Sequence, residues 1–195
     1  MNRSAEPIPS ADSVPSPLRM AFDRQMKIIG NKNTFAFEIG AFDSESKSLR
    51  IVDIWANNIR LCIEDNTIYI PQFVNDLIME TKKSYNVSEF EKYLKGLSPE
   101  EMAHFVMSTR DEKSPNYDLC DDRIYPTYRF LDLGPTTDNI TAFLFRQDDL
   151  AFLTFSFWRE AIKLVGKETF DSIKLEFEQV ISICNKAIAA LNNKS

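Results

Sequence analysis

RFLDLGPTTDNITAFLFRQDDLAFLTFSFWR, residues 129–159, is the stretch whose reading decides the fold. It holds two apolar runs of strand length. The first, NITAFLFR, carries Phe143, Leu144 and Phe145. The second, LAFLTFSFWR, carries Leu150, Phe152, Leu153, Phe155, Phe157 and Trp158. Aromatic and β-branched residues of this kind suit a pleated, buried surface. Gln147, Asp148 and Asp149 separate the runs, a polar link short enough for a hairpin. Phe152 alternates with Thr154, but Phe155, Phe157 and Trp158 break the alternation. Apolar side chains then fall on both faces, which predicts a strand covered on both sides. A third run, 128–131, precedes these, and Gly134, Pro135 and Asp138 supply the turn between. Residues 123–158 read as a three-stranded antiparallel meander.

The N-terminal half carries a second meander. Phe35, Phe37, Ile39 and Ala41 alternate with Ala36, Glu38 and Gly40, a period of two. Lys27 to Ile29 precede them as a strand. After the polar turn at 43–48, Leu49 to Ala56 put Ile51, Asp53 and Trp55 on one face and Val52 and Ile54 on the other. Asn57 and Asn58 read as a tight turn, because Asn tolerates positive φ. Ile59, Leu61 and Ile63 continue as a strand. Pro71 then opens a helix in which Phe73/Leu77 and Val74/Ile78 are i, i+4 pairs, closing on Lys82 and Lys83. Ser88–Glu91 and Ser98–Glu101 have the spacing of capping boxes, predicting helices near 89–95 and 99–108. Residues 109–122, TRDEKSPNYDLCDD, read as an exposed irregular loop. Phe170, Ile173, Phe177, Val180, Cys184, Ile188 and Leu191 recur at three- and four-residue steps, predicting one long C-terminal helix.

The expected architecture is α+β: a single antiparallel sheet of about six strands from two meanders, short helices between them, and the C-terminal helix packed on the sheet. Residues 1–25 are rich in Pro and Ser and read as a disordered tail, and 26–195 as one α+β domain.

Composition excludes several function classes. Lys plus Arg number 23 and Asp plus Glu 29, a net charge of −6. That balance argues against a nucleic-acid partner, which demands a basic surface. The three cysteines, Cys62, Cys120 and Cys184, are scattered and form no CxxC, so neither a zinc site nor a disulfide framework is expected. A reducing compartment fits them. No run of about 18 apolar residues could span a membrane, and no hydrophobic leader is evident.

Catalytic motifs are equally sparse. His104 is the only histidine and lies in a predicted helix. No GxSxG motif occurs, and the five glycines are scattered, so neither a nucleophile elbow nor a phosphate cradle is predicted. Asp65, Glu80 and Lys82 superficially suit a metal-dependent nuclease, but Glu80 and Lys82 read as a charged helix end. No catalytic residue, cofactor or metal ligand is assigned. What remains is acidic surface. Asp111, Glu112, Asp118, Asp121 and Asp122 fall in one loop with Tyr117 among them, and Asp148 and Asp149 form a hairpin tip. Such carboxylates either solvate a loop or steer a basic protein partner into place.

KIIGNKNTFAFEIG (27–40), IVDIWANNIRL (51–61), the Asp65-Asn66 turn, YIPQFVNDL (69–77) and FLDLGPTTDNITAFLF (130–145) together resemble small bacterial immunity proteins. These are antidotes to polymorphic toxins delivered by contact-dependent or type VI secretion. The resemblance implies a cytoplasmic, non-enzymatic protein that binds one toxin domain and inhibits it stoichiometrically. A toxin acting on nucleic acid, such as a nuclease, would be basic and would suit the acidic loop. Two other readings of the residues stand beside this one: a metal-dependent hydrolase with scattered carboxylates, and a non-catalytic adaptor.

Overall fold

Thirty residues at the start of the described chain show how the first sheet is built. In the computed structural model, which describes residues 26–44, 46–63, 65–86, 88–158 and 170–193, β1 (Lys27–Gly30) turns back into β2 (Phe35–Phe42). Gly30 makes that reversal at φ +101, and a Cβ there would sit 2.3 Å from the Phe35 carbonyl oxygen. No other residue type fits this approach. β3 (Leu49–Ala56) pairs antiparallel with β2, placing Phe37 opposite Ile54 and Glu38 opposite Asp53. Asn57 and Asn58, at φ 50 and 60, make the expected two-residue turn into β4 (Ile59–Arg60). β4 is shorter than predicted: Leu61 and Cys62 leave the strand and drop into the core. β5 (Thr67–Tyr69) pairs with the far end of β3.

Two of the helices follow their sequence signals, whereas the one expected at 89–95 begins at Ser88 itself, so Ser88 is its first residue rather than its cap. α1 (Ile70–Lys82) has Pro71 in its first turn and buries Phe73, Val74 and Leu77. α2 (Ser88–Leu94) buries Phe90 and Leu94. α3 (Pro99–Ser108) carries a complete capping box, with Ser98 and Glu101 each accepting from the other's backbone N–H. A short helix not foreseen, α4 (Ile124–Tyr128), occupies the start of the predicted meander and leads into β6 (Arg129–Phe130). β7 (Ile140–Gln147) and β8 (Leu150–Phe157) pair along their full lengths around Asp148 and Asp149.

The α+β class is as expected, but the strands form two antiparallel sheets rather than one. Among the described residues the first has β1-β2-β3-β4 with β5 on β3, and the second has the order β6-β7-β8-β9. Each meander contributes one apolar face to a shared core. Phe35, Phe37 and Ile54 from the first sheet meet Ala142, Leu144 and Leu153 from the second, together with α1 and α5. The opposite face of the second sheet carries Phe143 and Phe145 into a second core, closed by α2, α3 and α4. Both faces are covered as predicted, but the alternation in β8 is not broken: Ala151, Leu153, Phe155 and Phe157 all face the shared core, Phe152 faces the second, and Trp158 lies beyond the strand, exposed.

The C-terminal stripe is also split. Residues 171–176 form strand β9 (Asp171–Glu176) against β8, and only Phe177–Asn192 is helix, α5. Ile173, Leu175 and Phe177 are buried while Lys174 and Glu176 are exposed, a period of two that overlaps the three- and four-residue steps. Pairing with β8 decided between the two periods. α5 lies along α1 and packs on β1 and β2, as the sheet-covering helix was expected to do. The Pro/Ser-rich tail at 1–25 lies outside the described residues.

Candidate interaction surface

The segment 109–123 leaves the C-terminal end of α3. It is a chain of hydrogen-bonded turns rather than an irregular loop. Thr109 is buried and donates through its hydroxyl to the Val106 carbonyl at 2.8 Å, while its own carbonyl accepts from the Asp118 N–H at 3.0 Å. Asp111 accepts from the Lys113 N–H at 3.0 Å, an Asx turn. Asn116 donates to Ser108 Oγ at 2.9 Å. Asp118, Cys120, Asp121 and Asp122 all have φ between 55 and 61. Aspartate adopts that left-handed conformation at less cost than most residues, so the composition and the turn geometry agree. Leu119 and Cys120 turn toward the second core.

Of the five carboxylates here, Asp111, Glu112, Asp118 and Asp121 are exposed, and none forms an ion pair among the described residues. Asp122 differs: it is half-buried and held by Arg110 at 2.8 Å. Tyr117 is 51% exposed, and Met107 on the last turn of α3 is 37% exposed. The Asn116–Ser108 bond brings their neighbourhoods together. The segment thus presents an aromatic and a thioether side chain among four solvent-facing carboxylates.

Asp148 and Asp149 are also exposed, but elsewhere. The adjacent Gln147 meets Met102 in the first turns of α3, whereas 109–123 begins where that helix ends. About 10 Å of helix separates the two positions along its axis. The acidic groups therefore flank α3 rather than merge into one patch.

The residues weighed for catalysis are dispersed. His104 is exposed and meets the Phe170 ring edge-on at 5.3 Å. Asp65 accepts from the Thr67 N–H at 2.8 Å and shapes a turn. Glu80 is 3% exposed and engaged by the Tyr85 hydroxyl and by Lys83 Nζ at 3.1 and 3.2 Å. Burial raises the Glu80 carboxyl above the usual carboxylate range, opposed by its bonds to Tyr85 and Lys83. Among the described residues no three His, Cys, Asp or Glu side chains converge to hold a metal ion. No helix among them is long and apolar enough to cross a membrane.

Two charged networks escaped the sequence reading. Lys83 Nζ also donates to the Arg129 carbonyl at 3.0 Å, so the Glu80–Lys83–Tyr85 group ties α1 to the second sheet. On the outer face of the first sheet, Glu38 and Asp53 sit directly opposite one another. Glu38 accepts from Lys32 at 2.7 Å and from Trp55 Nε1 at 2.9 Å. Asp53 accepts from Asn66 at 3.1 Å, with Arg60 at 3.7 Å. The alternation in β2 and β3 puts these carboxylates on the polar face. Their donors come from turns whose position the alternation does not specify.

No family model and no curated protein sequence matches the chain. In fold it is similar to CdiI from Burkholderia dolosa AUO158, known from its crystal structure, at a TM-score of 0.57 and 15% sequence identity, with 84% of this chain and 99% of that one covered. The likeness is one of architecture, extending over nearly the whole of that protein.

Proposed function

We propose that this chain is an immunity protein that binds a cognate bacterial toxin and neutralises it stoichiometrically in the cytoplasm. The observation that carries the reading is the fold likeness to CdiI, a contact-dependent inhibition immunity protein, over 84% of this chain and 99% of that one. Asp65 and Glu80 are each engaged locally, Asp65 by the Thr67 N–H and Glu80 by Tyr85 and Lys83, which supports a structural use of these carboxylates over the hydrolase alternative. The toxin-binding residues proposed are Asp111, Glu112, Tyr117, Asp118, Asp121 and Asp122 on the 109–123 segment and Asp148 and Asp149 at the hairpin tip. All of these carboxylates but Asp122, which Arg110 holds, are exposed and form no ion pair among the described residues, and exposed charges of one sign accelerate encounter with a basic surface. Tyr117 offers the large, half-exposed area typical of an anchor.

The test is co-production with the toxin domain encoded beside this protein. Cells should survive the toxin only when the immunity protein is present, and calorimetry on the purified pair should give one-to-one binding. A toxin domain that retains full activity in a molar excess of this protein would overturn the proposal.

A further inference from the structure

Arg146 stands close in sequence to two carboxylates and pairs with neither. It lies near the end of β7, on the face that Ala142 and Leu144 turn to the shared core. Its guanidinium lies 4.1 Å over the ring of Phe177, the buried first residue of α5. Its Nε donates to the Asp148 backbone carbonyl at 3.0 Å, and its backbone N–H donates to the Tyr85 carbonyl at 3.1 Å. Among the described residues no carboxylate forms an ion pair with it. From α5 the Phe177 N–H donates to the Asp149 carbonyl at 2.8 Å. Both backbone carbonyls of the two-residue tip are thus held from outside the turn, while Asp148 and Asp149 stay exposed.

We infer that Arg146 is a positioning residue for toxin binding, holding the backbone of the hairpin tip while leaving the Asp148 and Asp149 carboxylates unpaired; the inference rests on the toxin-binding reading above. The tip has no glycine, yet Asp148 sits at φ 54, a conformation to which glycine is best suited. Hydrogen bonds from outside the turn therefore matter to its geometry. An arginine suits the task because its planar guanidinium stacks on an aromatic face while Nε donates in a fixed direction. Lysine has neither the plane nor a donor at that position. A tip fixed before encounter also loses less freedom on binding. The charge of Arg146 works the other way, since a cation here weakens the field of the neighbouring carboxylates toward a basic partner. Geometry and charge thus predict opposite effects of removing the side chain.

The experiment compares Arg146→Lys and Arg146→Met in the full chain, each first shown to fold by its urea midpoint. Arg146→Lys keeps the charge and loses the Nε donor. Arg146→Met keeps an apolar stem beside Phe177 and loses both. Hydrogen exchange of the Phe177 amide, which bonds the Asp149 carbonyl, reports on the tip without any toxin. It should quicken in both variants relative to amides in the middle of β7 and β8. Affinity for the toxin domain encoded beside this protein should fall roughly three- to tenfold in both, the scale of one lost hydrogen bond. An Arg146→Met variant that binds more tightly than wild type would show that charge outweighs geometry, and would overturn the inference. Unchanged Phe177 exchange in both variants would overturn it as well. If the wild-type chain binds the toxin and both variants bind it equally well, the inference fails and the immunity reading stands. If the wild-type chain does not bind the toxin, the immunity reading fails and takes the binding role of Arg146 with it.

Discussion

Glu80 is a helix-end residue by sequence and a core residue in the structure. It is 3% exposed and touches Tyr85, itself fully buried at φ 52. Removing one partner of such a group leaves the others buried without their bonds. Glu80→Ala should therefore cost about 3 kcal/mol, read from the midpoint of urea unfolding at constant slope. Tyr85→Phe removes a single donor and should cost about 1–2 kcal/mol. The pH dependence has a definite sign. The folded carboxyl has a raised pKa, so between its ordinary and raised values the folded state binds more protons than the unfolded one. The stability this supplies is present at low pH and is lost as pH rises through that window. Relative to Glu80→Gln, which cannot titrate, the wild-type melting temperature should fall on going upward from about pH 4.5. A constant difference between the two proteins across that window would show that Glu80 keeps an ordinary pKa.

At the scale of elements, β9 is the informative case. The helical stripe uses Phe170, Ile173 and Phe177 and leaves Leu175 off the apolar face. The strand buries Ile173 and Leu175 together, at 9% and 5% exposure, and turns Lys174 outward. Leu175→Ala should then destabilise by roughly 2–4 kcal/mol, while Lys174→Ala should stay within about 0.5 kcal/mol. A tolerant Leu175 in chemical denaturation would return 171–176 to the helix. The capped helix α3 and the Asn57-Asn58 turn show the opposite situation. Their signals lie within four residues of one another, and the structure reproduces both.

For the whole molecule, the acidic surface matters through its field. Asp111, Glu112, Asp118 and Asp121 face solvent on one segment of a chain with net charge −6. Replacing all four by their amides should slow association with a basic toxin domain by about tenfold at low salt and flatten the salt dependence of that rate. Tyr117→Ala should act mainly on dissociation, since an aromatic anchor sets residence time rather than encounter. Stopped-flow association and dissociation measurements at two salt concentrations separate these effects. An unchanged rate and salt slope in the tetra-amide variant would remove the 109–123 segment from the interface.

The sequence by itself determined the class, most strands and helices, the tight turns, the capping of α3 and the exposure of four of the five carboxylates in 109–122. Each of these depends on local physics: side-chain period, φ tolerance at Asn and Asp, and hydrogen bonds spanning three or four residues. Only the tertiary structure decided the rest. Two meanders can form one sheet or two, and the choice follows from which apolar faces meet across distances of about a hundred residues, as Phe37 and Leu144 do in the shared core. The period at 171–176 is ambiguous until β8 lies beside it. Glu80 looks solvated until Tyr85 and the Arg129 carbonyl close over α1. Long-range packing selects among alternatives that local propensities leave nearly equal in free energy.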